Sequence, residues 1–516
     1  MGFRTQIFNA MQRIAYPRQR RAYAGAMRSR LTDSWASSGS SADTEIKGSI
    51  RQLRNRSRQL VRDNDYAKQA CRSVVNNVVG AHGIRMQSQV RMARGGGRMD
   101  TAINDRIEMA WRLWGRKDSC DVAGVLCWID FQRMAMQAIA ESGEVFIRLL
   151  PVSSGSSAVP FSLQIVEADL IDEQYTGPTT NGNSYWRMGI EHDSQTHRPL
   201  NYAFLREHPG DTATLYSTEG REHTIISARD VIHLFIPTRP NQTRGVPMLA
   251  SSLERLHHVG AMEKAEVIRS RAASCLMGFI QTPDGELFGD GVQDGERVQN
   301  WEPGSWHYLA PGESVQVPQI DSPDNQYEPF LRAQLQGVAA GMGTDYSSVS
   351  GDYSRTNYSS SRLALIETRA HWQSLQYFLI ENLCQVVYER WLEMAVLSNA
   401  IPLNNFEIDR PRYMFPHWIP RAWPWIDPQK EVASYKEAIM CGFKTHAEVV
   451  QEQGGDLEEL MLQRQREVER AEELGLQFAV NEVNNVGAEE QPTANQNGTV
   501  QADEGGEPDG QQTADD

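Results

Sequence analysis

The side chains best suited to acid-base or metal chemistry lie between Val145 and Ile236: Glu167, Asp169, Asp172, Glu191, His192, Asp193, Asp230 and His233. Carboxylates and imidazoles serve a hydrolase when a motif brings them to a cation or a nucleophile. The chain has neither HExxH nor GxSxG. Its Pro-Asp pairs at Pro283 and Pro323 lack the downstream Glu-x-Lys with which a metal-dependent nuclease holds its cation and orients water. No catalytic residue, metal ligand or cofactor is therefore expected. The six cysteines, Cys71, Cys120, Cys127, Cys275, Cys384 and Cys441, contain no CxxC pair and read as reduced thiols rather than a zinc site or a disulfide framework.

Two further groups have the chemistry of contact rather than catalysis. Arg51, Arg54, Arg56 and Arg58 fall within eight residues of a helical pattern. They are candidates for phosphate contacts or intersubunit salt bridges, with a solvated helix face as the plainer reading. Asp345 to Ser361 holds seven serines and the tyrosines Tyr346, Tyr353 and Tyr358, but only one cation, Arg355. That is too little aliphatic surface for a core element and too many aromatics for a plain linker. It is expected to be a polar contact loop.

The loop must be held by its neighbours. Before it, Phe330, Leu331, Leu335, Val338, Ala339 and Met342 recur at three- and four-residue steps on a helix that Gly341 and Gly343 are expected to stop. After it, Arg362 to Asn399 keeps helical spacing for about 35 residues, on the order of 50 Å. A further helix of about 25 residues starts near Pro247, and others run over Ile46–Val79, through Ile103–Trp114 and from Phe131. Short alternating runs from Val145 to Ile236 predict antiparallel hairpins. The Pro/Trp-rich stretch with Trp418, Trp423 and Trp425 is expected to be pinned onto a core. Glu431–Val450 and Leu457–Phe478 read as two helices, and the chain from Asn481 as a disordered acidic tail.

The chain of 516 residues carries a net charge of −15, unevenly spread: +14 over residues 1–120 and −14 over residues 452–516. A protein built to grip DNA by neutralising many phosphates would be basic overall, so any nucleic-acid contact is local or weak. The first 32 residues have seven arginines and no acid, as in a presequence, a basic arm or a solvated one. No apolar run approaches the roughly 18 residues of a membrane helix, so a soluble, cytoplasmic chain without a membrane partner is expected.

Several segments together resemble the lambda family of bacteriophage portal proteins: RNRSRQLVRDNDYAKQACRSVVNNVVG, ESGEVFIRLL, LQIVEADLID, the strand of Asp230 and His233, RPNQTRGVP, DYSRTNYSSSR, WPWIDPQKEV and GFKTHAEVVQEQGGDLEE. The resemblance implies an α+β portal fold that assembles as a dodecameric ring. Its parts would be a basic arm and linker (1–45), a wing that is helical and then β-rich (46–246), a stem helix (247–273), a clip (274–326) and a second stem helix (327–343). A tunnel loop (344–361), the wing's long helix and Pro/Trp segment (362–430), crown helices (431–480) and the acidic tail (481–516) would follow.

It also implies a head-tail connector at the capsid vertex of the virion, assembled in the bacterial host cytoplasm. Double-stranded DNA would pass through it in packaging and ejection. Terminase large subunit, major capsid and scaffold proteins and head-tail adaptors would be its partners. Tyr353, Arg355, Asn357, Tyr358, Ser359 and Arg362 would line the channel. A virion-associated nuclease and a minor capsid scaffold protein are the alternatives from other classes.

Overall fold

The structure is a computed structural model. It describes residues 39–92, 99–180, 182–211, 222–274, 327–354, 358–403, 405–423 and 428–476, residue 30, and the isolated strands 279–281, 292–293, 296–297 and 314–316. It divides into two compact units, Met1–Asp427 and Pro428–Asp516.

In the first unit, the Ala42–Asp63 helix begins at Ser41, whose Oγ accepts from the Thr44 amide. It ends at Asn64, which is extended and whose side chain caps the following Asp65–Val78 helix through the Ala67 amide. One residue thus stops one helix and starts the next. The Trp128–Ser142 helix packs against both, and the Thr101–Trp114 helix contributes Trp111 and Trp114 to the same core. Gly143, in the left-handed conformation at φ 91°, turns the chain straight into the Glu144–Leu150 strand.

That strand is the centre of a three-stranded antiparallel sheet, flanked by Ser162–Val166 and Val231–Phe235. Its rows alternate in burial, with Val145, Ile147 and Leu149 in the main core and Phe146 in a smaller one. The second sheet is a five-stranded meander from Gly177–Pro178 to His223–Ser227 in sequence order, the hairpin array that the short alternating runs predict.

The main core is aromatic. Trp111 lies 4.8–6.2 Å, centroid to centroid, from Trp114, Trp128, Trp391 and Trp418. Trp418 is held as expected for the Pro/Trp stretch: its strand, His417–Ile419, pairs antiparallel with Arg85–Gln87, and its Nε1 donates to Gln385 Oε1 at 3.0 Å. Trp423 stacks on Trp372; Trp425 lies outside the described residues.

The Leu253–Ser274 and Tyr327–Met342 helices pack together through small residues. A Cβ on Gly337 would meet the Arg255 guanidinium at 2.5 Å, and one on Gly341 would meet Ser252 Oγ at 2.6 Å. Gly341 therefore lets the second helix approach the residues that open the first, and does not stop its own helix. The stop is Gly343, at φ 65°. The stretch between the two helices shows backbone pairing of Phe279–Gln281 with Ser314–Gln316 and of Val292–Gln293 with Glu296–Arg297.

The long helix is not one regular element. Tyr358–Leu379 and Gln385–Leu397 are α-helical, but Ile380–Cys384 is a π-turn whose Leu383 and Cys384 are buried. An apolar pattern of period three and four continues through a one-residue insertion of this kind, which is why the sequence reads as continuous.

Among the described residues of the second unit are three helices, Pro428–Met440, His446–Glu452 and Leu457–Leu474, where the sequence pattern predicts two over the same stretch. Gly442 at φ 75° breaks the first, and Thr445 with Glu448 forms a capping box that starts the next. Ala471 is the one buried residue among these helices.

Candidate functional site

The acids and histidines of the β region are committed to structure. Glu144 is the hub, at 1% exposure. Its Oε1 accepts from Arg54 Nη2 at 2.9 Å and from Arg244 Nη2 at 2.6 Å. Its Oε2 accepts from His233 Nε2 at 3.0 Å and the Gly245 amide at 2.9 Å, and Arg244 Nε reaches both oxygens. Arg54 Nη1 also bonds Asp169 Oδ1 at 3.2 Å, and Arg58 Nη2 lies 2.7 Å from Asp169 Oδ2. Five stretches far apart in sequence meet here: the arginine helix, Gly143-Glu144, Asp169, the His233 strand and Arg244-Gly245. Every one of them lies in a segment that carries the family resemblance.

Burial would raise the Glu144 carboxyl, but the charge of Arg244 and the bonds from His233 and Arg244 outweigh it and leave it well below the usual range. Burial lowers His233, against the opposing pull of Glu144, so the imidazole is neutral and its contact with Glu144 is a hydrogen bond, not an ion pair. Asp169 is raised by burial and lowered further by Arg54 and Arg58, ending below its ordinary value.

The signs give a pH dependence. A histidine depressed on folding refuses a proton that the unfolded chain accepts below about 6.5, so stability falls from there downward. Depressed carboxylates contribute stability that is complete above their unfolded values and lost as pH falls through the folded ones. The urea midpoint is therefore expected to be flat above pH 7, to decline below about 6.5, and to decline more steeply below about 4.5. His233→Gln, which keeps an N–H donor, should reduce the slope between pH 6.5 and 5; an unaltered slope would place the sensitivity elsewhere.

The other candidate acids are used similarly. Asp172 bonds His223, Asp230 bonds Arg390, Glu191 accepts from Ser184 and Asn201, and Asp193 closes a turn on Thr196. His192 is lowered by burial. Glu167, Asp169 and His208 present ligand atoms within 4.8 Å of one another, but Asp169 is already held by two arginines. The Pro-Asp pairs lie outside the described residues.

The arginine row divides by helix face. Arg54 is 1% exposed and fully enclosed by its own chain, so the structure corrects its assignment as a contact for DNA or another subunit. Arg58 bonds Ser142 and Asp169 and is likewise an internal tie. Arg51 and Arg56 are exposed, the former paired with Glu173. A signal for the difference is present in the sequence: Ile46, Ile50, Arg54, Ser57 and Val61 form one stripe at helical spacing, all buried, so Arg54 stands where an apolar residue is expected.

The serine-tyrosine loop leaves the core from a fixed root. Thr344 and Gly343 follow the glycine-faced helix, and a Cβ on Gly343 would meet the His371 ring at 2.5 Å. Asp345 caps a short Tyr346–Ser350 helix by accepting from the Ser348 amide at 3.0 Å. Val349 from that helix is buried in the main core, and Gln69 donates to the Ser348 carbonyl. Arg332 lies 5.2 Å over the Tyr346 ring, whose hydroxyl reaches Asp352. Asp352 also accepts from the Ser354 amide and hydroxyl, which hold it below its usual range.

Tyr353 is 67% exposed, and Arg362 is half-buried. Arg355 and Asn357 lie outside the described residues; Tyr358 and Ser359 begin the next helix, with their side chains outside the description. The first part of the expected loop is thus an anchored helix, and Tyr353 beyond it is exposed.

Residues 28–376 match the family model for phage portal proteins of the lambda family. The chain is 29% identical over 468 residues to a probable portal protein of Halomonas phage phiHAP-1, covering 89% of this chain and 88% of that one. It is 23% identical over 474 residues to portal protein B of Escherichia phage lambda, covering 86% and 88%. Among solved structures, the neck of an empty GTA particle is similar at 10% identity and a TM-score of 0.42, over 80% of this chain and 94% of that one.

Proposed function

The chain belongs to the lambda family of phage portal proteins, and from that premise we propose that its copies close into a dodecameric ring at one capsid vertex, with the tunnel loop, residues 344–361, facing the bore. Double-stranded DNA passes through that bore inward during packaging and outward at ejection. The β-rich region and long helix form the wing, the two glycine-apposed helices the stem, and residues 274–326 the clip that meets the terminase large subunit and then the head-tail adaptors. Major capsid and scaffold proteins surround the wing. The protein acts as a conduit and a docking ring, not as a catalyst.

The observation that carries this reading is the loop itself: a root locked by Val349, Gly343 and Asp345, followed by a hydroxyl-rich span that presents Tyr353 to solvent. A conduit for a polyanion must touch it without a multi-phosphate grip, which would stall it. Serine and tyrosine hydroxyls give neutral, exchangeable hydrogen bonds. Arg355 and Arg362, with Tyr353, Asn357, Tyr358 and Ser359, add only two cations per subunit.

Arg355→Ala is accordingly expected to leave ring formation unchanged while DNA packaged or retained per particle falls several-fold. Packaging equal to that of the unaltered protein would place Arg355 away from the duplex.

A further inference from the structure

The solvent face of the arginine helix has a use that its buried face does not exhaust. Lys47, Arg51 and Arg56 line one groove of about 440 Å³, together with Gln52, Asn55 and Gln59, against a wall that includes Glu173. We propose that this groove binds the phosphate backbone of duplex DNA, at a second place on the portal separate from the loop. The inference rests on the portal reading for the presence of DNA, and on the groove for the contact.

The groove is made for phosphate oxygens rather than for a protein surface. Its helical wall offers ammonium, guanidinium and amide donors, and no large apolar side chain lines it. The core of a specific protein interface is depleted in charge and enriched in aromatic and apolar groups. Phosphate contacts, in contrast, are drawn from Arg, Lys, Asn and Gln.

The helix is rigidly mounted. On its opposite face Arg54 and Arg58 are tied to Glu144 and Asp169, so the donors are presented without ordering a flexible segment. Glu173, 5% exposed and paired with Arg51, holds that guanidinium on the groove wall. Its charge also keeps the grip light, consistent with DNA that must remain movable.

The test is anisotropy of a fluorescent 20-base-pair duplex with the assembled full-length protein, titrated over a series of salt concentrations. The substitutions Lys47→Gln and Arg56→Gln are combined, leaving the Arg51–Glu173 pair intact. Affinity at low salt should fall about tenfold, and the slope of log affinity against log salt should become shallower by nearly 2, about 0.9 for each phosphate no longer neutralised. A second variant, Gln52→Ala with Asn55→Ala and Gln59→Ala, should weaken binding with the slope unchanged.

Unaltered affinity and slope in the first variant would overturn the proposal. So would a variant that binds DNA normally but no longer forms rings, which would make the face a subunit contact, or one that loses binding only to an acidic peptide. Arg355→Ala run in parallel separates the two readings: loss of duplex binding there alone leaves the portal assignment standing and removes the groove.

Discussion

Glu144→Ala is expected to lower the free energy of unfolding by about 3–5 kcal/mol, the usual cost of stranding a buried charge partner. The carboxylate stands between Arg54 and Arg244, both essentially without solvent contact. Its removal leaves Arg244 with two backbone carbonyls, from Met188 and Ala168, and no countercharge of its own. It also frees the Gly245 amide and the His233 imidazole. Urea denaturation at neutral pH measures the loss directly, and a change under about 1 kcal/mol would contradict it. Replacing Glu144, Arg54 and Arg244 together by apolar residues of similar volume should recover much of the stability, because the penalty lies in the unpaired charge and not in a missing attraction.

Gly245→Ala is expected to cost about 3 kcal/mol, the upper end for overpacking. A Cβ there would stand 2.2 Å from the Gly143 carbonyl oxygen, 2.7 Å from Phe235 Cβ and 2.8 Å from Glu144 Cβ. None of these atoms can rotate away, so one of two backbones must move. Gly143 faces the same constraint from the other side, its Cβ position lying 2.4 Å from the Val246 carbonyl carbon. The two glycines permit the contact that brings Glu144 and Arg244 into register. The cost should vary little with pH, whereas that of Glu144→Ala should shrink in acid as the carboxylate is lost. Equal pH dependence of the two would count against this separation of steric and electrostatic causes.

Much of the architecture is legible in residue order. The alternation in EVFIRLL and the proline near residue 247 predict a strand and a helix start, and both are found close to where the pattern places them. What cannot be read is what depends on a partner distant in sequence. Glycine at position 341 looks like a helix stop, but the stop is Gly343, and Gly341 is fitted to Ser252. The π-turn at Ile380–Cys384 leaves the apolar period nearly intact, so nothing local betrays it.

The arginine row shows the same limit. Charge counting treats Arg51, Arg54, Arg56 and Arg58 alike, yet Arg54 and Arg58 face inward because Glu144 and Asp169, about a hundred residues away, await them. For the loop, composition indicates a polar contact surface. That Val349 would be drawn into the main core, anchoring the first part of the segment, requires the packed Asp65–Val78 helix that receives it.

The central claim is that many copies surround an opening and that the tunnel loop, residues 344–361, borders it. An electron cryomicroscopy map of the purified oligomer decides this. The account predicts a closed ring in which Tyr353 and Arg355 of every subunit point to the axial opening. A protomer without annular partners, or a ring in which those residues lie on the outer rim, would contradict it.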